Sequence, residues 1–208
     1  MKSAIVDRGN ETNATGHWII TYTGNRIEPL APDPEHIYIE DIAHSLANQC
    51  RFTGHVSSFY STAQHSVLGS YLVPDKDRLA FLLHDGSEAY ISDIASPVKN
   101  HPDFGAYYGI AEERLERAIA ERFNLPYPMS PEVKIADKMM LRAEQRDLMP
   151  NDPSDGPIYS GVIVPWNPQE AEYDFLARYW AITGIEPTFP VKHHPTLWEV
   201  KASQRQKD

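Results

Sequence analysis

The segment from Lys76 to Tyr90 constrains this chain more than any other. It has a helical period but is apolar nearly all round, at Leu79, Phe81, Leu82 and Leu83. A helix with no wet face sits at the centre of a fold, with other elements around it. Where the apolar run ends, the sequence sets His84, Asp85, Glu88, Asp93 and Lys99 within a short stretch. Titratable groups carried toward a core need partners, so the elements around this helix must supply them.

Those elements are helical. Ile39, Ile42, Ala43, Leu46 and Ala47 mark a first helix, and a second over 61–73 puts His65, Leu68 and Leu72 on one face. The segment 76–90 is the third. After a loop over 91–103, a fourth over 104–123 turns Tyr108, Ala111, Leu115, Ile119 and Phe123 inward, with Glu113 and Arg117 paired on its wet face. Ser130 as N-cap and Pro131 at the first helical position open a fifth over 131–148. Its stripe reads Val133, Asp137, Met140, Leu141, Glu144 and Leu148. Asn167-Pro168 starts the last, with Ala171, Phe175, Leu176 and Tyr179 inward. Ahead of them, Ile19, Ile20, Tyr22 and Ile27 flank a Thr23-Gly24-Asn25 turn and predict a β-hairpin, ended by Pro29, Pro32 and Pro34. The expected fold is an all-α bundle with a small N-terminal β-hairpin. The expected division is an extension over 1–38, a helical domain over 39–183 and a proline-punctuated tail over 184–208, with polar residues 1–16 loosely ordered.

Composition narrows the function. The chain has 208 residues, 41% of them hydrophobic, enough for a core without staples. A net charge of −10 argues against binding duplex nucleic acid, which needs clustered Lys and Arg. Cys50 is the only cysteine, so no intrachain disulfide forms and a reducing, cytoplasmic setting is expected. The first residues carry no apolar signal region and no apolar run approaches about 18 residues, so neither secretion nor a membrane span is expected. Two Asn-X-Thr triplets, at Asn10 and Asn13, then carry no meaning as glycosylation sites.

His65, the pair His84-Asp85, and Asp137 each fall in or beside an apolar helical face, on three different helices. One buried histidine is an ordinary core residue; carboxylates on apolar stripes require a cation, a metal or several donors. Two imidazoles and two carboxylates form a mixed nitrogen and oxygen set suited to Mn, Fe, Co, Ni or Zn with open coordination positions.

This ordered set resembles the HD-domain metal-dependent phosphohydrolases, and more closely their 5'-deoxynucleotidase-like branch, which includes phage enzymes that hydrolyse dATP. The matching pieces are "RFTGH", "STAQHSV", "LLHDGSEAYISDIASPVK" and "KIADKMMLRAE", spanning about residues 40–148. The resemblance implies a divalent ion held by His65, His84, Asp85 and Asp137. Glu88 lies three residues beyond Asp85 and four beyond His84, which on a helix places it beside the ligands. The resemblance assigns Glu88 and Asp93 to the scissile phosphate, Glu88 handling the attacking water. It places Arg51 and the following aromatic, Phe52, at the nucleotide; the usual residue there is Trp, which leaves base preference open. Lys99 is expected as a further cation for phosphate. A triphosphate tail would call on Lys99, Lys134, Lys138 or an added Mg²⁺. His55 and Gln64 are weaker neighbours, and His101, in a loop context, is not expected to hold a second metal. The substrate implied is a 2'-deoxynucleoside phosphate, with dATP favoured, and the expected state is a homo-oligomer. A cyclic-nucleotide or alarmone hydrolase, or a non-catalytic nucleotide-binding module, stays open as an alternative.

Overall fold

The computed structural model describes residues 16–150 and 155–188. The Asn10 and Asn13 triplets, and most of the expected tail, lie outside the described residues. Strands β1 (Ile19–Ile20) and β2 (Arg26–Ile27) pair antiparallel, Ile19 opposite Ile27. Gly24 takes φ +87° at the turn, where its lack of a Cβ is needed. The hairpin is sewn to the helices from below. Ile27 is buried, and Asp41 accepts from the Thr23 amide at 2.7 Å and its hydroxyl at 3.0 Å. The Tyr22 ring stacks 3.6 Å from that of His44, whose Nδ1 lies 3.0 Å from Glu172.

Among the described residues eight α-helices follow: α1 (Ile39–Asn48), α2 (Thr62–Gly69), α3 (Arg78–Leu82), α4 (Glu88–Ile91), α5 (Ser96–Lys99), α6 (Pro102–Arg122), α7 (Pro131–Leu148) and α8 (Pro168–Thr183). The fold is all-α with a small N-terminal hairpin, as the periodicity predicts. Helix α8 opens with a full capping box, Asn167 accepting from the Glu170 amide and Glu170 from the Asn167 amide. It packs against α1, α2 and α3. Its Ala171, Phe175, Leu176 and Tyr179 are buried, as predicted.

Two apolar clusters form the core. One joins Ile42 and Leu46 of α1, Leu82 of α3, Leu115 and Ile119 of α6, and Phe175 and Leu176 of α8. The other joins Tyr60, Phe81, Met140 and Leu148. Helix α2 is buried almost throughout, and α7 packs on it. Among the described residues, no helix is long and apolar enough to cross a membrane.

The centre differs from the expectation. The third helix is not continuous over 76–90: α3 stops at Leu82, and α4 begins at Glu88. Between them the chain winds in tight four-residue turns, Gly86 N to Leu83 O at 2.9 Å and Glu88 N to Asp85 O at 3.0 Å. The His84 ring supplies the cause. Its Nδ1 lies 2.7 Å from the Phe81 carbonyl, a local side-chain bond that competes with helical pairing. Helix α2 also ends early, at Gly69. The buried Arg178 takes over there, donating to the Ser70 hydroxyl at 2.8 Å and carbonyl at 3.1 Å. Part of the loop predicted over 91–103 is the one-turn α5.

Candidate metal centre

His65 projects from the middle of α2, fully buried. His84 and Asp85 sit on the turns after α3, and Asp137 on α7. The Nε2 atoms of His65 and His84 are 3.3 Å apart. Asp137 Oδ1 is 3.3 Å from the first and 3.8 Å from the second. These three side chains each offer a ligand atom within 4.8 Å of the others, a group that could hold a metal ion. Asp85 borders the group: Oδ1 is 3.2 Å from His84 Nε2 and Oδ2 is 3.8 Å from His65 Nε2.

Donor chemistry tests whether a cation fits. The Phe81 carbonyl can only accept, so His84 Nδ1 carries its proton. His65 Nδ1 lies 2.5 Å from Glu144 Oε1 and likewise donates. Glu144 is ionised: burial alone would raise its pKa, but the charges of Arg51 and His65 hold it down at about 2. In the neutral rings both Nε2 lone pairs then point at each other and at two carboxylates. Acceptors converging without a donor attract positive charge, a proton or a cation. Consistently, burial works against the His84 imidazolium, yet Asp85 and Asp137 push its pKa up to about 9. Asp137 is driven well below the usual carboxylate range: burial opposes this, and the bonds from both histidines override it.

The remaining predicted residues cluster unevenly. Glu88 opens α4, 8% exposed, with Oε2 lacking a hydrogen-bond partner among the described residues. Burial, then the charges of Asp85 and Asp93, push its pKa up to about 9. Glu88 thus reaches the site from a helix start after turns, not from one helix shared with His84 and Asp85. Asp93 is half-buried, its amide bonded to Gln49 at 3.2 Å; burial raises its pKa against the pull of Arg51. Arg51 is spoken for: Nε lies 3.2 Å from Glu144 and Nη1 3.3 Å from Asp85. Phe52 is half-buried, its ring centroid 5.8 Å from the Arg51 guanidinium carbon, in a stretch where Phe52, Thr53 and Gly54 all take positive φ. Lys99 pairs with Glu112, over the Tyr108 ring.

Other neighbours named from the sequence point elsewhere. Gln64 clamps the extended segment before α8, donating to the Val164 carbonyl and accepting from the Trp166 amide, both at 2.8 Å. Lys134 and Lys138 are exposed on α7, and His55 is exposed in its loop. His101 caps α6 by accepting from the Asp103 amide at 3.3 Å and is not in the His–Asp group.

Two residues of the site carry no role in the sequence reading. Glu144 belongs to the predicted α7 stripe, two turns beyond Asp137; a carboxylate on an apolar stripe was the available signal. Gln49 ends α1, and its side chain bonds the Glu88 carbonyl, the Asp93 amide and Ser45. Nothing in its local sequence marks it.

Fold and site together define an all-α protein with a partly buried histidine–aspartate group able to hold a metal ion. No protein-family profile matches the chain. It is 41% identical over 170 residues to Uncharacterized protein YfdR of Escherichia coli, covering 78% of this chain and 93% of that protein. It is 35% identical over 144 residues to an uncharacterized protein of Rhodobacter capsulatus, covering 63% of this chain and 72% of the relative. The chain belongs to the same family as YfdR; neither relative's name states an activity.

Proposed function

We propose that this protein is a metal-dependent phosphohydrolase of the HD type, acting on 2'-deoxynucleoside phosphates, with dATP the favoured substrate. The observation that carries the reading is the convergence of two imidazole nitrogens and the Asp137 carboxylate, with Asp85 beside them and acting by its charge on the buried Glu88, whose Oε2 has no hydrogen-bond partner among the described residues. His65, His84, Asp137 and Asp85 would hold a divalent ion, Mn, Fe, Co, Ni or Zn. When bound, such an ion lowers the pKa of water and polarises a phosphate oxygen.

The chain's own groups do the rest. The charge of a bound ion would favour the ionised form of Glu88, whose oxygen can then orient an attacking water or take its proton. Asp93 stands on the same segment, tied through Gln49 to α1. Arg51 has Nη2 outside its two ion pairs and can donate to a phosphate oxygen with it. Lys99 reaches a phosphate only by leaving Glu112. Phe52 offers the sugar an apolar face, against which an added 2'-hydroxyl would lack a partner. That costs about 1–3 kcal/mol, or roughly tenfold to a hundredfold in discrimination.

Product analysis with each dNTP, dNMP, ATP, a cyclic nucleotide and an alarmone, under Mn²⁺, Co²⁺, Zn²⁺ and Mg²⁺, tests this. Release of phosphate, pyrophosphate or triphosphate from deoxynucleotides is expected, with dATP preferred over ATP. Equal turnover of ATP and dATP removes the sugar selectivity; turnover of only cyclic nucleotide or alarmone replaces the substrate class.

A further inference from the structure

One carboxylate in this site serves two masters. Glu144 is fully buried, and its two oxygens face different partners: Oε1 takes His65 Nδ1 at 2.5 Å, and Oε2 takes Arg51 Nε at 3.2 Å. Arg51 passes the connection on, its Nη1 lying 3.3 Å from Asp85 Oδ2. The series runs from Glu144 to His65 on one side, and from Glu144 through Arg51 to Asp85 on the other. It begins on α7, the helix that also carries Asp137. It links α2, the segment preceding it and the turns after α3, which are the pieces the His–Asp group must hold in register.

We propose that Glu144 and Arg51 are the frame of the metal centre: Glu144 sets the ring of His65, and Arg51, held by Glu144, sets the carboxylate of Asp85. This rests on the metal-centre part of the reading above and not on any substrate. Both roles are positioning. An imidazole ligand with its second nitrogen bonded to a carboxylate has its tautomer and ring angle fixed. A guanidinium uses separate nitrogens for separate carboxylates, which a single ammonium cannot do. Arg51 is itself anchored: its amide donates to the Tyr60 carbonyl at 2.9 Å, and its carbonyl accepts from Gly54 at 3.1 Å. A cation that merely awaited phosphate would not need two of its nitrogens committed to carboxylates already in the site.

Glu144→Gln tests one arm. Glutamine has one acceptor oxygen, so its amide N–H must face either the His65 N–H or the Arg51 N–H. Arg51→Lys tests the other arm while keeping the charge. The measurement is Co²⁺ binding to the EDTA-stripped full chain, by visible absorption of the bound ion, with Mn²⁺ by calorimetry as a second probe. Both variants should bind about 10–100-fold more weakly, with altered Co²⁺ absorption. Affinity within about threefold of the parent in either folded variant, far short of that loss, overturns the frame. Should a single variant lose its helical circular dichroism, the double variant Arg51→Met/Glu144→Met takes its place. Replacing both charges together leaves neither of them buried without the other. It should fold and bind Co²⁺ as weakly as the singles are expected to, and parent-like binding there also overturns the frame. A parent chain that binds neither ion removes frame and metal centre together. A parent that binds metal in this pattern but cleaves no nucleotide leaves the frame standing and sinks the phosphohydrolase.

Discussion

Glu88 is a buried acid whose chemistry departs far from that of its exposed form. In the metal-free protein its pKa stands at about 9, first because it is buried and then because Asp85 and Asp93 are near. In the unfolded chain it returns to the ordinary glutamate range, near about 4.3. The folded state therefore binds a proton more tightly. The associated stability is fully present below the unfolded pKa and is lost as pH rises through about 9. His84, also raised to about 9, acts in the same direction. Comparison with Glu88→Gln isolates the glutamate. In EDTA, the melting temperature of the variant minus that of the parent should grow by roughly 10–20 °C between pH 5 and pH 9. A gap that stays constant would mean that Glu88 ionises freely in the folded protein. With metal and a cleaved nucleotide, the same variant should keep its Co²⁺ but lose roughly 10²–10⁴-fold in turnover.

Among the elements, the meeting of α2 and α3 decides the site's geometry. A Cβ built on Gly69 would lie 2.1 Å from the Phe81 ring, so the two helices can approach this closely only with glycine there. Phe81 is also next to the site, its ring 4.5 Å from that of His84 and its carbonyl accepting from His84 Nδ1. Gly69→Ala should cost about 1–3 kcal/mol through overpacking, a drop of roughly 2–12 °C in melting temperature. Because Phe81 must move, Co²⁺ binding should weaken as well. Thermal melts and a Co²⁺ titration check both halves, and parent-like values in each would show that Phe81 relaxes without disturbing His84. The helices with clear periods, α1, α6, α7 and α8, the last two with start signals as well, are legible in the sequence. The segment over 76–90 is not, because an all-round apolar pattern has no phase that marks where a helix stops. The break after Leu82 comes from a side-chain bond of His84, which periodicity does not contain.

Across the whole molecule the His–Asp group bridges segments far apart in the chain and lies between the two apolar clusters. His65 belongs to the helix that contributes Val67 to one cluster, and Phe81, beside His84, belongs to the other. A ligand bound only by the folded arrangement stabilises all of it. Mn²⁺ or Co²⁺ at about a hundred times its Kd should add about 2.7 kcal/mol, a rise of roughly 5–11 °C in melting temperature. Asp137→Ala should remove that rise and the retained metal. An undiminished rise in Asp137→Ala, followed by calorimetry, would place the bound ion elsewhere.

What the sequence determined by itself is the helical fold with its hairpin, and the candidates His65, His84, Asp85 and Asp137. Those follow from local facts: periodicity, caps, and titratable side chains on apolar faces. Tertiary structure decided the partners. It turned Gln64 away to the segment before α8, committed Arg51 to Glu144 and Asp85, tied Lys99 to Glu112, and brought Gln49 to Glu88 and Asp93. Each of those is a hydrogen bond or ion pair between residues distant in the chain. Its existence depends on how helices cross, and no spacing along one helix encodes that.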